Sequence, residues 1–470
     1  MIKRLFNSSA PVQFLVWMAL VYCLLLPFLY LDWGRGIARG VILIILITLI
    51  LGLKLFYEIK GFKFIARHPN PVKNHKSIII IFAIVALGMA GQFAWDLRHN
   101  RISLDQGPIT ANAVRLLQMG KNPYDSNHMV DTTAWLRDLP ARQAAGYGPD
   151  DSITPENYES ALQNFTDGHN ATLSQHLLPK GLPPMDWVPP WQGKELAGLG
   201  YKYGPMILVS SLPAVAIFGV AGITLLNCVA VLASLMVLWR IARHYCDDSR
   251  LVTLAILALA LDPFVRMNFI QRSATDIYPI LFIALAVLAW LQQGRKRVGL
   301  FLALALGCKT APTIVVLPLL LTVGWQGILV FALSTVVIFA PWLWWNGAEF
   351  IRNELLWGVL TQADSTAWRF FASPLTGQII TLFLALAMAV IWINFLWIQR
   401  DRAKQRLSII PLIILQSLLL VAGGNMFHNN YVPWFSLWLP ILGLVWLSSP
   451  KSFLSENPES RPSQAPQSQP

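Results

Sequence analysis

Long apolar runs separated by short polar connectors are the feature that most constrains this chain. A helix of roughly 17 to 25 apolar residues matches the hydrocarbon thickness of a bilayer. Such runs occur at residues 12–31, 41–57 and 77–95, and recur from residue 221 onward. Charged residues make up 13% of the 470 residues, whereas an ordinary globular chain carries about 25%. The sequence therefore predicts an all-α polytopic membrane protein with about 12 transmembrane helices.

The basic residues indicate how these helices are oriented. They are concentrated in short connectors at residues 60–76, 240–243, 295–297 and 400–406. Connectors rich in Lys and Arg lie on the cytoplasmic side, so the net charge of +12 indicates membrane orientation and not nucleic acid binding. The four cysteines are scattered and suggest neither a disulfide framework nor a metal site.

We expect four regions along the chain. Residues 1–95 form three N-terminal spans, the first retained and not a signal peptide. Residues 96–220 form a large outer loop subdomain with interfacial helices, between the third and fourth spans. Residues 221–449 form a C-terminal transmembrane bundle. Residues 450–470, rich in Ser, Pro and Gln, are expected to be a disordered cytoplasmic tail.

Three details of the bundle follow from the same topology. A single crossing at residues 221–239 keeps Arg240 inside, so we expect residues 206–218 to lie along the interface or to re-enter without crossing. Residues 298–308 and 312–324 should form a broken pair with Lys309 at its outer apex. Residues 346–373 should form an outer loop.

The start of the outer loop has an organisation of its own. Apolar residues recur at helical spacing between Thr110 and Met119, with Thr110 as the expected N-cap and Gly120 as the stop. We expect residues 106–108 to break the chain behind Asp105. A short amphipathic helix along the membrane surface, with Asp105 at its start, is the resulting prediction.

Unusual polar residues converge on the outer side under this topology. Ionisable groups at membrane depth are costly and are functional candidates by default. The candidates are Asp105, Arg272, Asp276, Lys309, Arg369 and His428.

Each candidate also has a structural interpretation that stays open. Asp105 could cap or brace the loop, and Arg272 with Asp276 could be an ordinary i, i+4 pair. Lys309 could extend its amine to the interface, and Tyr124 could be a packing aromatic. Arg369 could be an interfacial anchor and His428 a hydrogen-bonding residue.

A carboxylate in the outer loop, with cations at headgroup level, suggests a lipid phosphate substrate. In sugar transfer from a polyprenyl phosphate the leaving phosphate is a weak base, so no general acid is needed, unlike in glycosidases. One Asp is enough to take the proton from an acceptor hydroxyl. Lys, Arg and His would stabilise the charge on the departing phosphate. No glycine-rich nucleotide loop is visible, which fits a lipid-linked donor.

These motifs, taken in order, resemble the GT-C superfamily of membrane glycosyltransferases, most closely the polyprenol-phosphate-mannose-dependent type of glycosyltransferase family 87. The resemblance covers about residues 77–448. Its elements are the loop Asp followed by A-x-x-L-L-x-x-G-x-N-P-Y from Ala113 to Tyr124, Tyr-x-Tyr-Gly-Pro from Tyr201 to Pro205, Asp276 opening a span, Lys309 before a Pro-containing span, and His428 with Tyr431.

The resemblance implies that Asp105 is the general base and that Lys309 and His428 bind the lipid phosphate, with Arg272 as a helper. We place Asp276, Tyr124, Arg369 and Tyr431 with the same substrate site. This chain departs from the family pattern because more spans precede the loop than the one that is common in the family, because the loop is long, and because Gln106-Gly107-Pro108 follows Asp105 where a nearby Tyr is common. Asp96 is therefore a rival base.

The predicted activity is inverting transfer of a hexose, mannose favoured, from a polyprenyl-phosphate sugar to a lipid, glycan or protein acceptor. The expected location is a bacterial inner membrane with the site facing the periplasm. No cofactor is expected beyond the lipid-linked donor, although a divalent ion stays open. Two alternatives also stay open: a transporter or flippase of lipid-linked sugars, and an envelope polysaccharide polymerase or ligase.

Overall fold

The computed structural model describes residues 76–99, 106–125, 201, 203–271, 273–355, 386–393, 395–396, 402–423 and 431–447, and all regular structure within these ranges is helical. The helices, in chain order, are α1 (Lys76–His99), α2 (Gln106–Gln118), α3 (Pro205–Phe218), α4 (Ala221–Tyr245), α5 (Ser249–Ala260), α6 (Pro263–Val265), a π-helical turn (Arg266–Gln271), α7 (Ile277–Leu291), α8 (Arg295–Cys308), α9 (Thr310–Ile314), a 3-10 turn (Leu317–Leu319), α10 (Leu320–Phe350), a second π-helical turn (Ile351–Leu355), α11 (Arg402–Gly423), α12 (Pro433–Ser436) and α13 (Leu439–Leu447). The all-α prediction is therefore confirmed for these residues.

Four helical stretches within the described part are long and apolar enough to cross a membrane: Ile78–Arg98, Ala221–Tyr245, Ser249–Gln271 and Leu317–Glu354. The first overlaps the span predicted at 77–95, and the second contains the span predicted at 221–239. The spans predicted at 12–31 and 41–57, most of the outer loop and the C-terminal tail lie outside the described residues. The total of about 12 spans stays a prediction.

Helix α2 begins earlier than the sequence suggested. It starts at Gln106, so Thr110 lies inside the helix and the expected break at residues 106–108 is wrong. The physical reason is that Pro108 falls in the first turn, where a backbone N–H has no partner within the helix in any case. The stop at Gly120 is confirmed: Gly120 has φ +71, and the Lys121 N–H donates to the Leu116 carbonyl.

Helix α3 has only 14 residues and is about 21 Å long at 1.5 Å per residue. That is shorter than the hydrocarbon core of about 30 Å. Helices α7 and α8 are as short, at 15 and 14 residues, so the length of α3 does not test whether residues 206–218 cross the membrane, and that expectation stays a prediction. The helix packs against both α2 and α4.

The predicted break at Lys309 is present, because α8 ends at Cys308 and Lys309 is extended at φ −163, ψ 126. Helix α10 contains a non-helical residue at Gly324, with φ +72, which matches the predicted boundary between two segments. The prediction of a loop from residue 346 is wrong over its first ten residues. The chain is non-helical at Asn346 but resumes a helix, since the Asn346 side chain accepts from the Glu349 N–H at 3.4 Å.

Helices α4, α7, α8 and α10 pack in sequence to form the core of the bundle. At one end, which we call the basic end, the Arg406 guanidinium donates to the Leu291 carbonyl at 3.3 Å, and the Tyr245 hydroxyl donates to the Arg406 carbonyl at 2.8 Å. Helices α4 and α7 both run away from the opposite end, where Thr224 contacts Ser273. We call that opposite end the polar end.

Candidate functional site

The polar end is centred on a buried ion pair between Lys309 and Asp276. Asp276 precedes the first turn of α7, and its side chain caps no backbone N–H of that helix. Instead, Asp276 Oδ1 accepts a hydrogen bond from Lys309 Nζ at 2.6 Å. The carboxylate is fully buried, whereas the lysine side chain is 17% exposed. The part of the pair that is accessible therefore belongs to the lysine side chain.

Both residues occupy these positions because of how their helices begin and end. Lys309 lies in the break between α8 and α9, where an extended residue directs the chain from one helix into the next. Asp276 lies where the polar segment 273–276 enters α7. The sequence allowed two roles for Lys309: contact with a phosphate, or extension of its amine to the membrane interface. In the structure the amine binds Asp276. The suggested i, i+4 partner of Asp276, Arg272, lies outside the described residues.

Three aromatic rings surround the lysine amine. Lys309 Nζ lies 5.0 Å from the Tyr431 ring centroid, 5.5 Å from that of Trp434 and 5.7 Å from that of Tyr203. Rings within about 6 Å of an ammonium attract it through their negative faces. The Tyr431 and Trp434 rings also pack against each other, at a centroid distance of 4.4 Å. We call these three side chains the aromatic cage.

The cage and the ion pair together hold a positively charged group at a defined place, on a side chain that is 17% exposed. Burial of a lysine ordinarily disfavours its charged form, but an adjacent carboxylate and aromatic faces favour it. The arrangement is suited to contact with an anionic group such as a phosphate. Sequence reasoning included Tyr431 but missed Trp434. It used Tyr203 only as part of a motif.

Tyr124 lies next to the cage and is fully buried. Its hydroxyl donates to the Tyr203 carbonyl at 2.8 Å, and its ring packs against Phe350 at a centroid distance of 4.7 Å. Burial, followed by the influence of the Glu354 carboxyl and then Tyr201, holds the pKa of Tyr124 well above its ordinary value. These contacts favour the interpretation of Tyr124 as a packing aromatic. Its hydrogen bond to the backbone of Tyr203 helps to position that residue.

Asn353 binds the backbone of Tyr124, and it was not among the residues predicted from the sequence. Its Nδ2 donates to the Tyr124 carbonyl at 2.7 Å, and the side chain is fully buried. The residue falls in the part of the chain that we had expected to be an outer loop. A buried amide there has no local sequence signal, because its partner is 229 residues away.

Gly204 brings the segment before α3 directly against the end of α8. The Gly204 N–H donates to the Cys308 carbonyl at 3.0 Å, which satisfies one of the carbonyls that a helix end leaves without a partner. A Cβ at this position would overlap the Gly307 carbonyl oxygen. Only glycine allows this approach, and the approach places Tyr203 beside Lys309.

The segment from Ser273 to Asp276 is held by two neighbouring helices. Gln106 Oε1, at the start of α2, accepts from the Thr275 N–H at 2.7 Å. Thr224 of α4 contacts Ser273, with 2.9 Å between the hydroxyl oxygens. Asp96, the rival base, accepts from the Thr224 hydroxyl at 2.9 Å and is buried.

Four of the eight predicted site residues lie outside the described part of the chain: Asp105, Arg272, Arg369 and His428. Three of the other four, Asp276, Lys309 and Tyr431, come together, and Tyr124 lies one contact away. Their roles stay predictions. Among the described residues no group of three His, Cys, Asp or Glu side chains could hold a metal ion. The described cysteines, Cys228, Cys246 and Cys308, are buried and free.

The apolar helices and the ion pair describe a helical membrane protein that holds a lysine ammonium in an aromatic cage at one end of its bundle. Residues 201–422 match the family model of glycosyltransferase family 87, which agrees with a membrane glycosyltransferase of the GT-C type. The matched region includes Tyr203, Asp276 and Lys309. A comparison with curated proteins finds no match to the chain.

Proposed function

We propose that this protein transfers a hexose, mannose favoured, from a polyprenyl-phosphate sugar to an acceptor on the outer side of the membrane. The observation that carries the proposal is the Lys309–Asp276 pair at the polar end, in which the carboxylate is fully buried and the lysine side chain is partly exposed. It lies within the region that matches glycosyltransferase family 87.

In the proposed reaction the acceptor hydroxyl attacks the anomeric carbon of the donor from the face opposite the phosphate. The new glycosidic bond forms as the bond from carbon to the phosphate oxygen breaks, and the configuration inverts. Asp105 takes the hydroxyl proton, and the electron pair of the broken bond leaves with the polyprenyl phosphate. That phosphate is a stable anion, so no acid is required to protonate it.

Lys309 acts on the leaving group in this scheme. Its ammonium would stabilise the negative charge that grows on the phosphate as the bond breaks. Asp276 stays behind the lysine, fully buried, and fixes the position of the amine. His428 and Arg272 are proposed as further phosphate contacts, and Arg369 as a donor contact, from the sequence alone.

Asp105 is proposed as the base because of its position in the chain. It directly precedes Gln106, the first residue of α2. The Gln106 side chain contacts Thr275, the neighbour of Asp276. The orientation of the site is supported by charge: the polar end lies opposite the end where the arginine-rich connectors meet, and such connectors are cytoplasmic.

The test is sugar transfer by the purified protein in lipid, with a panel of radiolabelled polyprenyl-phosphate sugars and membrane extract as the acceptor source. The native chain is compared with Asp105→Asn. The control is Asp248→Asn, which changes a carboxylate that caps α5 near the basic end. We expect transfer by the native chain and the control and none by Asp105→Asn.

Each other outcome has a defined meaning. Transfer retained by Asp105→Asn would remove Asp105 as the base. Binding of donors without transfer by the native chain would overturn the enzyme proposal and favour a transporter of lipid-linked sugars. A requirement for a lipid-diphosphate donor would favour a polysaccharide polymerase or ligase.

A further inference from the structure

The segment from Ser273 to Asp276 is buried and conformationally strained. Ser273 has φ +54, a left-handed conformation that is unfavourable for a non-glycine residue. Such a conformation persists only where the surrounding structure holds it. The segment ends at Asp276, so whatever holds Ser273 also sets the position of the carboxylate that binds Lys309.

Side chains of α4 hold this segment by hydrogen bonds. Asn227 Nδ2 donates to the Phe269 carbonyl at 2.9 Å and to the Ala274 carbonyl at 3.0 Å. One turn earlier, Thr224 Oγ1 lies 2.9 Å from Ser273 Oγ. Both residues of α4 are buried, so neither interaction is in competition with bulk water.

Asp96 terminates this network on helix α1. Asp96 Oδ2 accepts from the Thr224 hydroxyl at 2.9 Å, and Asp96 Oδ1 accepts from Gln92 Nε2 at 2.9 Å. A hydroxyl has a single proton to donate. Since Thr224 gives that proton to the carboxylate, it must accept from Ser273. The carboxylate therefore determines the direction of the hydrogen bonds: Ser273 donates to Thr224, and Thr224 donates to Asp96.

We propose that Asp96 is a positioning residue for the donor-binding lysine and not the catalytic base. By ordering Thr224 and Ser273, it fixes the segment that places Asp276 and, through Asp276, Lys309. A general base must reach the hydroxyl that it deprotonates, whereas Asp96 is 4% exposed and accepts two hydrogen bonds from within the protein. This inference rests on the proposed function, because it assigns Asp96 to the same site.

The first test compares Asp96→Asn with Asp96→Ala. The Asn side chain keeps a carbonyl oxygen that can accept from Thr224, and Ala does not. We expect Asp96→Asn to keep kcat and the donor KM within about threefold of native, since the hydrogen bond survives without its charge. We expect Asp96→Ala to raise the donor KM by about tenfold or more, as for the loss of one charge-assisted hydrogen bond.

The second test uses Thr224→Val, which removes the central hydroxyl at nearly constant shape. Its matched control is Thr322→Val, which removes the hydroxyl that accepts from Trp290 Nε1 at 2.8 Å near the other end of α7. Binding of radiolabelled polyprenyl phosphate is measured for all variants. We expect weaker binding for Thr224→Val and native binding for Thr322→Val. The variant carrying both Asp96→Ala and Thr224→Val should bind no worse than Asp96→Ala alone.

These measurements separate the possible failures. Loss of transfer in Asp96→Asn equal to that in Asp96→Ala, with native binding of polyprenyl phosphate, would make Asp96 the base and overturn the inference. Equal effects of Thr224→Val and Thr322→Val would also overturn it, because they would indicate general destabilisation. Failure of the native chain to transfer sugar would refute the proposed function, and binding of polyprenyl phosphate would still decide whether Asp96 positions Lys309.

Discussion

Substitutions in the ion pair between Lys309 and Asp276 should affect the stability of the protein and its binding of ligand differently. Lys309→Met removes the ammonium and keeps a side chain of similar length, which leaves a fully buried carboxylate without its cation. Asp276→Asn removes only the negative charge. The double variant removes both charges together and leaves two neutral side chains of nearly native size.

The expected magnitudes follow from the burial of the two groups. Removal of one partner of a buried ion pair costs about 3–5 kcal/mol, whereas replacement of both partners is often close to neutral. We therefore expect Lys309→Met to lower the free energy of unfolding by about 3 kcal/mol. We expect the double variant to recover most of that loss. Asp276→Asn should cost less than Lys309→Met, because the lysine is 17% exposed and keeps the aromatic cage.

The assay is unfolding in detergent, followed by binding of radiolabelled polyprenyl phosphate to the variants that fold. The double variant should fold but bind the lipid at least tenfold more weakly, since about 1.4 kcal/mol of charge-assisted hydrogen bonding is lost. The control is Arg352→Met, which breaks a more exposed ion pair with Glu349 at 3.7 Å. Such pairs contribute about 0–1 kcal/mol, so this variant should unfold much like the native chain.

Two results would refute this reasoning in different ways. A double variant that unfolds as easily as Lys309→Met would show that the stability of this region does not depend on charge pairing. A stable double variant that binds polyprenyl phosphate with native affinity would show that Lys309 does not contact the phosphate.

Two further predictions concern the elements that support the cage. Tyr124→Phe should lower the free energy of unfolding by about 1–2 kcal/mol near neutral pH, because the Tyr203 carbonyl loses its donor. The pKa of Tyr124 is raised in the folded chain, so the stability that its hydroxyl contributes is present below about pH 10 and falls above it. Denaturation experiments should therefore show the difference in free energy of unfolding between native and variant becoming smaller at alkaline pH. Gly204→Ala should impair folding or abolish transfer, because its Cβ would overlap the Gly307 carbonyl, whereas Gly91→Ala, where a Cβ meets no atom within 4 Å, should unfold at the native temperature and retain transfer.

Much of the fold could be predicted because helix formation in this chain depends on local signals. The apolar run at 221–239, the break at Lys309 and the stop at Gly120 are all visible within a few residues of sequence. The start of α2 was misplaced because Pro108 was interpreted as a breaker, although a proline in the first turn disrupts no hydrogen bond of its helix.

The region after Asn346 was misjudged for a different reason. Apolar residues thin out there, which is typical of a loop, but Phe350 and Asn353 are fully buried. Their burial depends on Tyr124, which packs on Phe350 and whose carbonyl accepts from Asn353. A tertiary contact over more than two hundred residues decides the local structure, and no periodicity within the segment reports it.

The pairing of Asp276 with Lys309 is intermediate between these cases. The local rule offers Arg272, which lies outside the described residues, at i, i+4 from Asp276, and the structure adds a partner that is 33 residues away. Yet the two helices between them form a hairpin with a three-residue turn, and their lengths are 15 and 14 residues. At 1.5 Å per residue the two arms are each about 21–22 Å long, so antiparallel packing must return the residue after α8 to the level of the residue before α7. Helix lengths on either side of a short turn therefore contain the information that an Asp and a Lys flanking the hairpin will meet. Hydropathy alone hides that information, because it locates spans without aligning their ends.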